Sequence, residues 1–413
     1  MRRGSPPMTA SSFATAMLLA SASHADVDPH EFTAQADVRY VLVDSPYESF
    51  TQGGLGQLRF DEGHDALRLG SLMLDAAGSL TETVRYATTA FATGDDDQNP
   101  IDLTEVYLEW RPYPVNSARW RTRVGAFYPA VSLENRAIGW QSLYSISASA
   151  INSWLGEELR TIGVETSMSL AGSGSGRNFD LNVFGSLYGW NDPAGILIFQ
   201  RGWAIHDRQT ALFGHLPRPL VGNPDIQDIE FFDEVDHRAG YYAGAEMKWL
   251  AGHVIRAFHY DNRGDVAATD GREPTWYTEF DAFGARLELP AELTFIAQYL
   301  SGSTAAGPSD DGEGMVITDY ASWFALLSAT HGAHRVTARY DRMQTRMARG
   351  VESFPGHQNS FAWTAAYLFD LDQHWQFAAE ALRISGSLDQ RAYAGVPVSG
   401  IEKQLQLSVR FTF

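Results

Sequence analysis

The chain ends in QLQLSVRFTF (residues 404–413), in which polar and apolar side chains alternate without interruption. Successive side chains of a β-strand point to opposite faces, so this segment has a polar face and an apolar face that ends in Phe411 and Phe413. About ten residues is also the length of a tilted strand that crosses a lipid bilayer. The segment is therefore predicted to be a membrane-crossing strand whose polar face meets an aqueous interior.

The same two-residue period recurs along the chain in segments of similar length, many of which end in aromatic residues. The predicted strands are 33–43, 66–76, 80–91, 102–111, 118–127, 158–170, 178–190, 238–250, 252–261, 277–289, 292–301, 319–330, 334–343, 360–370, 374–385 and 402–413. Tight turns join fourteen of these strands into seven hairpins, and the remaining connections are long. Short turns at one end, long loops at the other and an even number of strands are typical of outer-membrane barrels.

The sequence therefore predicts an all-β fold, a single transmembrane antiparallel β-barrel of about sixteen strands over residues 26–413, with short periplasmic turns and long extracellular loops. The pattern favours this barrel over a soluble sandwich, which would need a second apolar face on its strands and would not sort its loops by length. Residues 1–25 combine two early arginines, a short apolar run and a small-x-small ending, which predicts a cleaved secretory signal peptide and places the barrel in the bacterial outer membrane.

Charge and cysteine usage narrow the possible functions. Residues 26–413 carry 29 basic and 50 acidic side chains, a formal charge of about −21, which argues against a nucleic-acid partner. The chain has no cysteine, so disulfides and thiolate sites are excluded. Beyond the leader, no stretch reaches the ~18 apolar residues of a transmembrane helix. We expect no cofactor and no structural metal.

Three segments carry a family resemblance: LTEVYLEWRPYP (103–114), RVGAFYPAVSLEN (123–135) and SAINSWLGEELRTIGVE (149–165). Together with the terminal aromatic, they resemble Gram-negative outer-membrane porins, most nearly the phosphate-selective porin O and P type. The resemblance implies that Phe413, with Phe411, forms a signal read by the barrel-assembly machinery, and that the protein is a homotrimer. Phosphate-selective members have lysine-rich lumens, whereas this chain has only Lys248 and Lys403, so phosphate is not predicted as the solute.

The third long loop, residues 128–157, is too apolar to lie fully in water. Its large apolar side chains are Ile138, Trp140, Leu143, Tyr144, Ile146, Ile151, Trp154 and Leu155. We predict that this loop folds into the barrel and narrows the pore. The alternatives are a loop that caps the barrel mouth or packs on a neighbouring subunit.

The segment ARWRTRVGAF (118–127) places three arginines on one strand face, and guanidinium groups on a lipid-facing wall are costly, so this face is predicted to line the lumen. If the preceding hairpin turns at 112–117, Glu109 lies opposite Arg121 and Arg111 lies opposite Arg119. The predicted charged constriction consists of Arg119, Arg121, Arg123, Glu105, Glu109, Arg85, Glu134 and Arg136. The same parity turns inward Arg39, Arg256, Arg286, Arg335, Arg339 and Arg410. The alternative role for any of these arginines is that of a structural partner for a luminal carboxylate.

Most acidic residues fall in the long loops, at 94–97, 225–236 and 310–314 among other places. A solvated, repulsive extracellular rim accounts for them. The functional alternative is that they bind divalent cations that bridge to lipopolysaccharide phosphates.

The pattern favours a water-filled, non-enzymatic porin for passive diffusion of small hydrophilic solutes or ions, with outer-membrane lipid and lipopolysaccharide as its surroundings. An outer-membrane hydrolase of the phospholipase or protease type is the first alternative. It would require a Ser/His or Asp/His pair near the lipid or loop surface, and strand parity predicts no such pair there. A non-conducting adhesin or anchor with a solid lumen is the second alternative.

Overall fold

The computed structural model describes residues 30–95, 101–115, 118–172, 176–218, 228–271, 274–350 and 356–413, so the predicted leader lies outside the described residues. The strands are β1 His30–Asp44, β2 Ala66–Ser79, β3 Val84–Ala92, β4 Asp102–Trp110, β5 Ala118–Phe127, β6 Thr161–Leu170, β7 Phe179–Gly189, β8 His215–Pro217, β9 Asp228–Glu230, β10 Gly240–Trp249, β11 Val254–Asp261, β12 Trp276–Leu289, β13 Leu293–Ala306, β14 Val316–His331, β15 His334–Arg349, β16 Gln358–Asp370, β17 Trp375–Leu388 and β18 Ser399–Thr412. In the described part of the chain, no helix is long and apolar enough to span a membrane.

Sixteen of these strands form one closed antiparallel barrel, and β8 and β9 pair separately. The prediction of an all-β barrel of about sixteen strands is confirmed. Each predicted strand corresponds to one barrel strand, because the period-two pattern and the turn signals agree along the whole sheet.

The two ends of the chain close the barrel. β18 pairs with β1 in a register that places Arg410 opposite Asp37. The last residue takes part as well, since the Phe413 amide donates to the Ala34 carbonyl at 2.8 Å and the Ala34 amide donates to the Phe413 carbonyl at 3.0 Å. Closure leaves no free sheet edge. A free edge would expose unpaired backbone N–H and C=O groups, which are too costly within a bilayer.

The alternation of the terminal strand sorts its side chains as the sequence predicts. Leu405, Leu407 and Val409 are exposed on the outer wall, whereas Gln404 and Gln406 are buried on the inner one. Aromatic residues border the apolar outer wall at both ends. Ring pairs include Tyr340 with Trp363 toward the long loops and Trp375 with Phe411 at the tight-turn end.

The third loop folds into the barrel, as predicted. Its helix α1, Ala150–Glu158, is buried along its whole length. Trp154 packs edge-on against Phe280 of β12 and Tyr320 of β14, with ring centroids 5.6 and 5.3 Å away. The lumen therefore contains an apolar core that extends from the strand wall to the loop.

A second loop also enters the barrel, which was not predicted from the sequence. The connection 191–237 was expected outside, but its helix α2, Ile196–Arg201, and the extended residues that follow are buried. The physical reason is the apolar run Ile196–Phe199 together with Trp203, which a water-exposed loop would not keep. This is the same signal that identified the third loop.

The register of the β4–β5 hairpin differs from the prediction by two residues. Glu109 lies opposite Arg123, and not opposite Arg121. The turn closes through mutual backbone hydrogen bonds of 3.1 Å between Val115 and Ala118, nearer to β5 than the expected centre. A shift of two preserves parity, so the arginines still face the lumen.

Phe413 offers a test of the assembly role that the resemblance implies. Its side chain is 80% exposed on the outer wall and touches no luminal group. Replacing Phe413 by Asp should lower the amount of folded protein in the outer membrane several-fold and leave single-channel conductance unchanged. Phe32→Asp is the matched control, because Phe32 is also an exposed outer-wall aromatic at the tight-turn end. Equal losses for both variants would reduce the effect to the cost of a charge facing lipid.

Candidate functional site

The arginine face of β5 lies in the lumen, where it meets carboxylates of the neighbouring strands. Arg123 binds Glu165 of β6, with Nη2 2.8 Å from Oε1, and its guanidinium lies 4.2 Å from the centre of the Phe127 ring. Arg121 is 3.2 Å from Glu165 and 3.8 Å from Glu109 of β4. Two of the three predicted arginines are therefore ion-paired, and Arg121 keeps 36% of its side chain exposed.

The set of charges around these residues is unbalanced. Arg111 ion-pairs with Glu109, and Arg85 of β3 stands opposite Glu109 in the sheet. Arg119 is exposed opposite Ser169. We call Arg85, Arg111, Arg119, Arg121 and Arg123 the arginine cluster. Its carboxylate partners are Glu109 and Glu165, so the five arginines exceed them by three positive charges.

Glu105 faces inward but serves the third loop. Its Oε1 accepts the backbone N–H of Tyr128, where the loop begins, at 3.1 Å. In the described residues it makes no ion pair with the arginine cluster.

Glu134 and Arg136, the two loop residues predicted to complete the constriction, are not brought to the arginine cluster. Glu134 is fully buried and lies 2.8 Å from Arg339 of β15, on the far side of the barrel. It also accepts the backbone N–H of Ser149 at 3.0 Å. Arg136 is exposed.

Carboxylates on the wall hold the third loop in place by accepting its backbone N–H groups. Glu380 of β17 accepts from Ile146 at 2.7 Å and from Ser147 at 3.0 Å. Asp341 of β15 accepts from Ala150, at the start of α1, at 3.1 Å. A buried loop must have its N–H groups satisfied, and a carboxylate is a strong acceptor for them. Neither acid was identified from the sequence.

The remaining inward arginines all have polar partners. Arg256 ion-pairs with Glu246, and Arg286 is 3.1 Å from Glu288. Arg335 donates to the Leu143 carbonyl of the third loop. These arginines therefore act as structural partners of carboxylates and carbonyl groups, which is the alternative role given above. The excess of positive charge lies at the arginine cluster.

Residues 202–212 form neither a helix nor a strand and cross the lumen, and we call this segment the crossbar. At one end the Trp203 amide donates to the Gln358 side chain of β16 at 2.8 Å. At the other end the Leu212 amide donates to the Leu103 carbonyl of β4 at 2.8 Å. These two strands lie on nearly opposite sides of the closed barrel. The crossbar therefore lies across the long-loop half of the lumen.

A buried chain of charges fixes the crossbar to the wall. Asp207 of the crossbar lies 2.6 Å from Arg39 of β1 and 3.0 Å from Arg59. Arg59 continues the chain to Asp95 at 3.0 Å. Burial alone would raise the pKa of the Asp207 carboxyl. The neighbouring guanidinium groups of Arg39 and Arg59 outweigh this effect and hold that pKa well below its ordinary value.

Asp95 belongs to the acidic stretch 94–97 that was expected on the solvated rim, and this expectation is wrong for it. Only 4% of its side chain is exposed, because it is the partner of the buried Arg59. No local pattern indicates this pairing, since the two residues are 36 positions apart and meet only through the inserted loops.

The crossbar and the third loop pack closely against each other. The cavity between them measures about 10 Å³, roughly the space for one water, and is lined by polar side chains that include Asn135, Asn152 and His206. Polar side chains at the tight-turn end, Arg121 and Glu288 among them, retain partial exposure. The long-loop half of the lumen is thus filled, and the charged cluster lies in the wetter half.

One Asp/His pair lies on the outer wall, where strand parity predicted none. His259 of β11 and Asp281 of β12 face outward, with Nδ1 2.9 Å from Oδ1. The Tyr241 hydroxyl is 3.4 Å from His259 Nε2. Within the described residues, no serine hydroxyl is hydrogen-bonded to this histidine.

Comparisons with known proteins show which fold the chain shares. No family model matches the chain, and no curated protein matches it. Among solved structures, OmpT, an outer membrane protein of Vibrio cholerae in its trimer form, matches with a TM-score of 0.53 at 8% identity over 94% of this chain and 100% of that one. OmpF of Salmonella typhi, in complex with daunomycin, gives 0.53 at 9% over 93% and 97%.

The outer membrane channel DcaP of Acinetobacter baumannii gives a TM-score of 0.52 at 9% identity, over 95% of this chain and 99% of that one. At these identities the likeness shows the fold. The chain has the closed sixteen-stranded barrel fold of outer-membrane proteins, a class in which this channel also falls.

If the ion pairs of Asp207 hold the crossbar in place, removing them should make the crossbar accessible to a protease. Asp207→Asn leaves Arg39 and Arg59 with one carboxylate fewer, and loss of a buried partner costs about 3 kcal/mol at the lower end of the usual range. We expect trypsin to cleave the folded variant at Arg208, which is buried in the wild type. Asp311→Asn, which removes an exposed pair with Arg349, is the control and should leave Arg208 protected. Equal protection of Arg208 in all three proteins would show that the ion pairs do not hold the crossbar.

Proposed function

We propose that this protein is an outer-membrane porin, a channel for passive diffusion of small hydrophilic solutes or ions that favours anions. The observation that carries the proposal is the arginine cluster, whose five arginines share two carboxylate ion-pair partners, Glu109 and Glu165, within the described part of a closed barrel. Residues 1–25 serve as the leader and residues 26–413 form the channel domain. The proposal assigns no catalytic residue and no cofactor.

The physical effect of the cluster on a passing ion is sizeable. A unit charge 4 Å from another interacts by about 1 kcal/mol in bulk water and about 4 kcal/mol at the effective dielectric constant near a protein surface. Because about 1.4 kcal/mol corresponds to tenfold in population, even a screened cluster biases permeation toward anions.

A homotrimer is the assembly we propose, with the barrel-assembly machinery as the partner that inserts it. The porin resemblance of the sequence supports this assembly, and so does the trimer form of the Vibrio cholerae OmpT structure. The exposed terminal Phe413 supports recognition by the assembly machinery. Three segments of the sequence resemble the phosphate-selective porin type, and the low lysine content speaks against phosphate as the solute.

Neutralising the three arginines of β5 tests the channel proposal. Arg119→Gln/Arg121→Gln/Arg123→Gln, combined with Glu165→Gln because Glu165 would otherwise lose both of its arginine partners, should shift the reversal potential in a salt gradient toward cation preference, while Glu109 keeps its ion pair with Arg111. We expect the anion-to-cation permeability ratio to fall several-fold. Arg119→Gln alone should act in the same direction with little risk to folding, since Arg119 makes no ion pair within the described residues.

The control for this experiment removes charge from the rim. Asp310→Asn/Glu313→Gln changes exposed loop acids, which lie in solvent where the screening length is about 8 Å at physiological salt. This variant should move the reversal potential less than the β5 variant does. If only the rim variant changes selectivity, the β5 arginines are structural partners of Glu109 and Glu165.

A second candidate function is favoured by the outer-wall pair. A His259–Asp281 pair that faces lipid has the arrangement in which a carboxylate orients an imidazole for general-base chemistry. The missing element is a nucleophile, because the group near Nε2 is the phenol of Tyr241. This candidate is therefore the weaker one.

A hydrolase assay separates the two functions. Purified protein should release no fatty acid from phospholipid in mixed micelles, and His259→Ala should conduct like the wild type. If the wild type hydrolyses phospholipid and His259→Ala abolishes that activity, the pair is catalytic and an enzymatic function replaces the purely passive one.

A further inference from the structure

The outer wall of β15–β18 contains an apolar groove of about 560 Å³. Its floor is made of alanines in register on adjacent strands, because Ala338 stands opposite Ala365 and Ala365 stands opposite Ala381. The larger side chains of Trp363 and Leu405 stand beside this floor and are about half exposed. Because the alanine side chains are shorter than their neighbours, the wall is recessed here. The recess is an apolar groove that suits a lipid acyl chain.

Two cations stand at the upper end of this groove. Arg383 lies opposite Trp363 on one side and Lys403 on the other, in the row next to the alanine floor on the long-loop side. Arg383 is exposed and has no ion pair in the part of the chain that the structure describes. Lys403 Nζ is 2.6 Å from Asp44, whose side chain is 72% exposed. The site has one net positive charge on a protein whose overall balance is strongly acidic.

The height of these cations matches the headgroup region of a leaflet. Arg383 is eight residues above Trp375, the first residue of β17 at the tight-turn end. A strand with a rise of ~3.3 Å per residue and a tilt of ~40° climbs about 20 Å over that distance, close to the top of an apolar band about 25 Å tall. Tyr340 and Trp363, with ring centroids 4.8 Å apart, mark the same level. The alanine floor lies below it, in the acyl region.

We propose that this groove binds a phosphorylated glycolipid of the outer leaflet, the lipid portion of lipopolysaccharide, with an acyl chain on the alanine floor and a phosphate between Arg383 and Lys403. An arginine with its donors free offers a bidentate contact to phosphate, and an ammonium adds a point charge. The exposed Lys403–Asp44 pair is weakly held, so a phosphate can replace the carboxylate as the partner of Lys403.

This mode of binding differs from bridging by divalent cations through acidic loops, because the protein contacts the phosphate directly. It also explains why two cations lie on a wall that faces lipid. An arginine or lysine costs about 2–4 kcal/mol at the bilayer midplane and ~0–1 kcal/mol near the interface, where an anionic lipid is available as a partner.

The test is native mass spectrometry of the purified full barrel titrated with diphosphoryl lipid A in detergent. Arg383→Gln/Lys403→Gln should weaken lipid A binding at least tenfold, and Ala365→Trp, which fills the groove and keeps both cations, should weaken it similarly. Ala257→Trp is the matched control, because Ala257 is an exposed outer-wall alanine of β11 outside the groove. Heat-dependent migration on gels establishes that each variant is folded.

Binding should persist in EDTA and should fall when one phosphate of lipid A is removed. Several results would overturn the proposal. These are lipid A binding that is equal in the wild type, the charge variant and the groove variant, complete release by EDTA, or equal affinity for phosphatidylglycerol. The last result would make the groove a general site for anionic phospholipids and not a site for the outer-leaflet glycolipid.

Discussion

A sheet that spans a bilayer must satisfy every one of its backbone N–H and C=O groups within the protein. Closure of β1 onto β18, down to the bonds between Ala34 and Phe413, meets that need. Once the sheet is closed, the two-residue period fixes which side chains face lipid and which face the lumen. The inward arginines and carboxylates follow from this parity, and so does their need for partners.

The same requirement shapes the interior. The third loop and the crossbar enter the lumen, and each brings backbone groups that must be paired away from bulk water. Wall carboxylates such as Glu380 accept N–H groups of the third loop, and ion pairs of Asp207 hold the crossbar. In these contacts, charged side chains hold the loop backbone in position. The arginine cluster differs from them, because its positive charges outnumber its carboxylates.

The strands and the third loop were predictable because their signals are local. Alternation over ten residues and an apolar run such as that around Trp154 can be read without knowing the fold. The run from Ile196 carried the same signal and could have placed the second loop inside. The pairing of Glu134 with Arg339 could not have been found, since it joins residues 205 positions apart. The two-residue error in register arose from turn geometry at Val115–Ala118.

We propose that water and ions pass this barrel despite the loops that fill its long-loop half, and that the arginine cluster makes the pore prefer anions. Single-channel recording of the wild-type protein in planar bilayers under a salt gradient tests it most directly. We predict discrete, small conductance steps and a reversal potential of the sign that anion preference gives. The absence of conductance from a correctly folded barrel would contradict the claim and leave the lumen as a solid core.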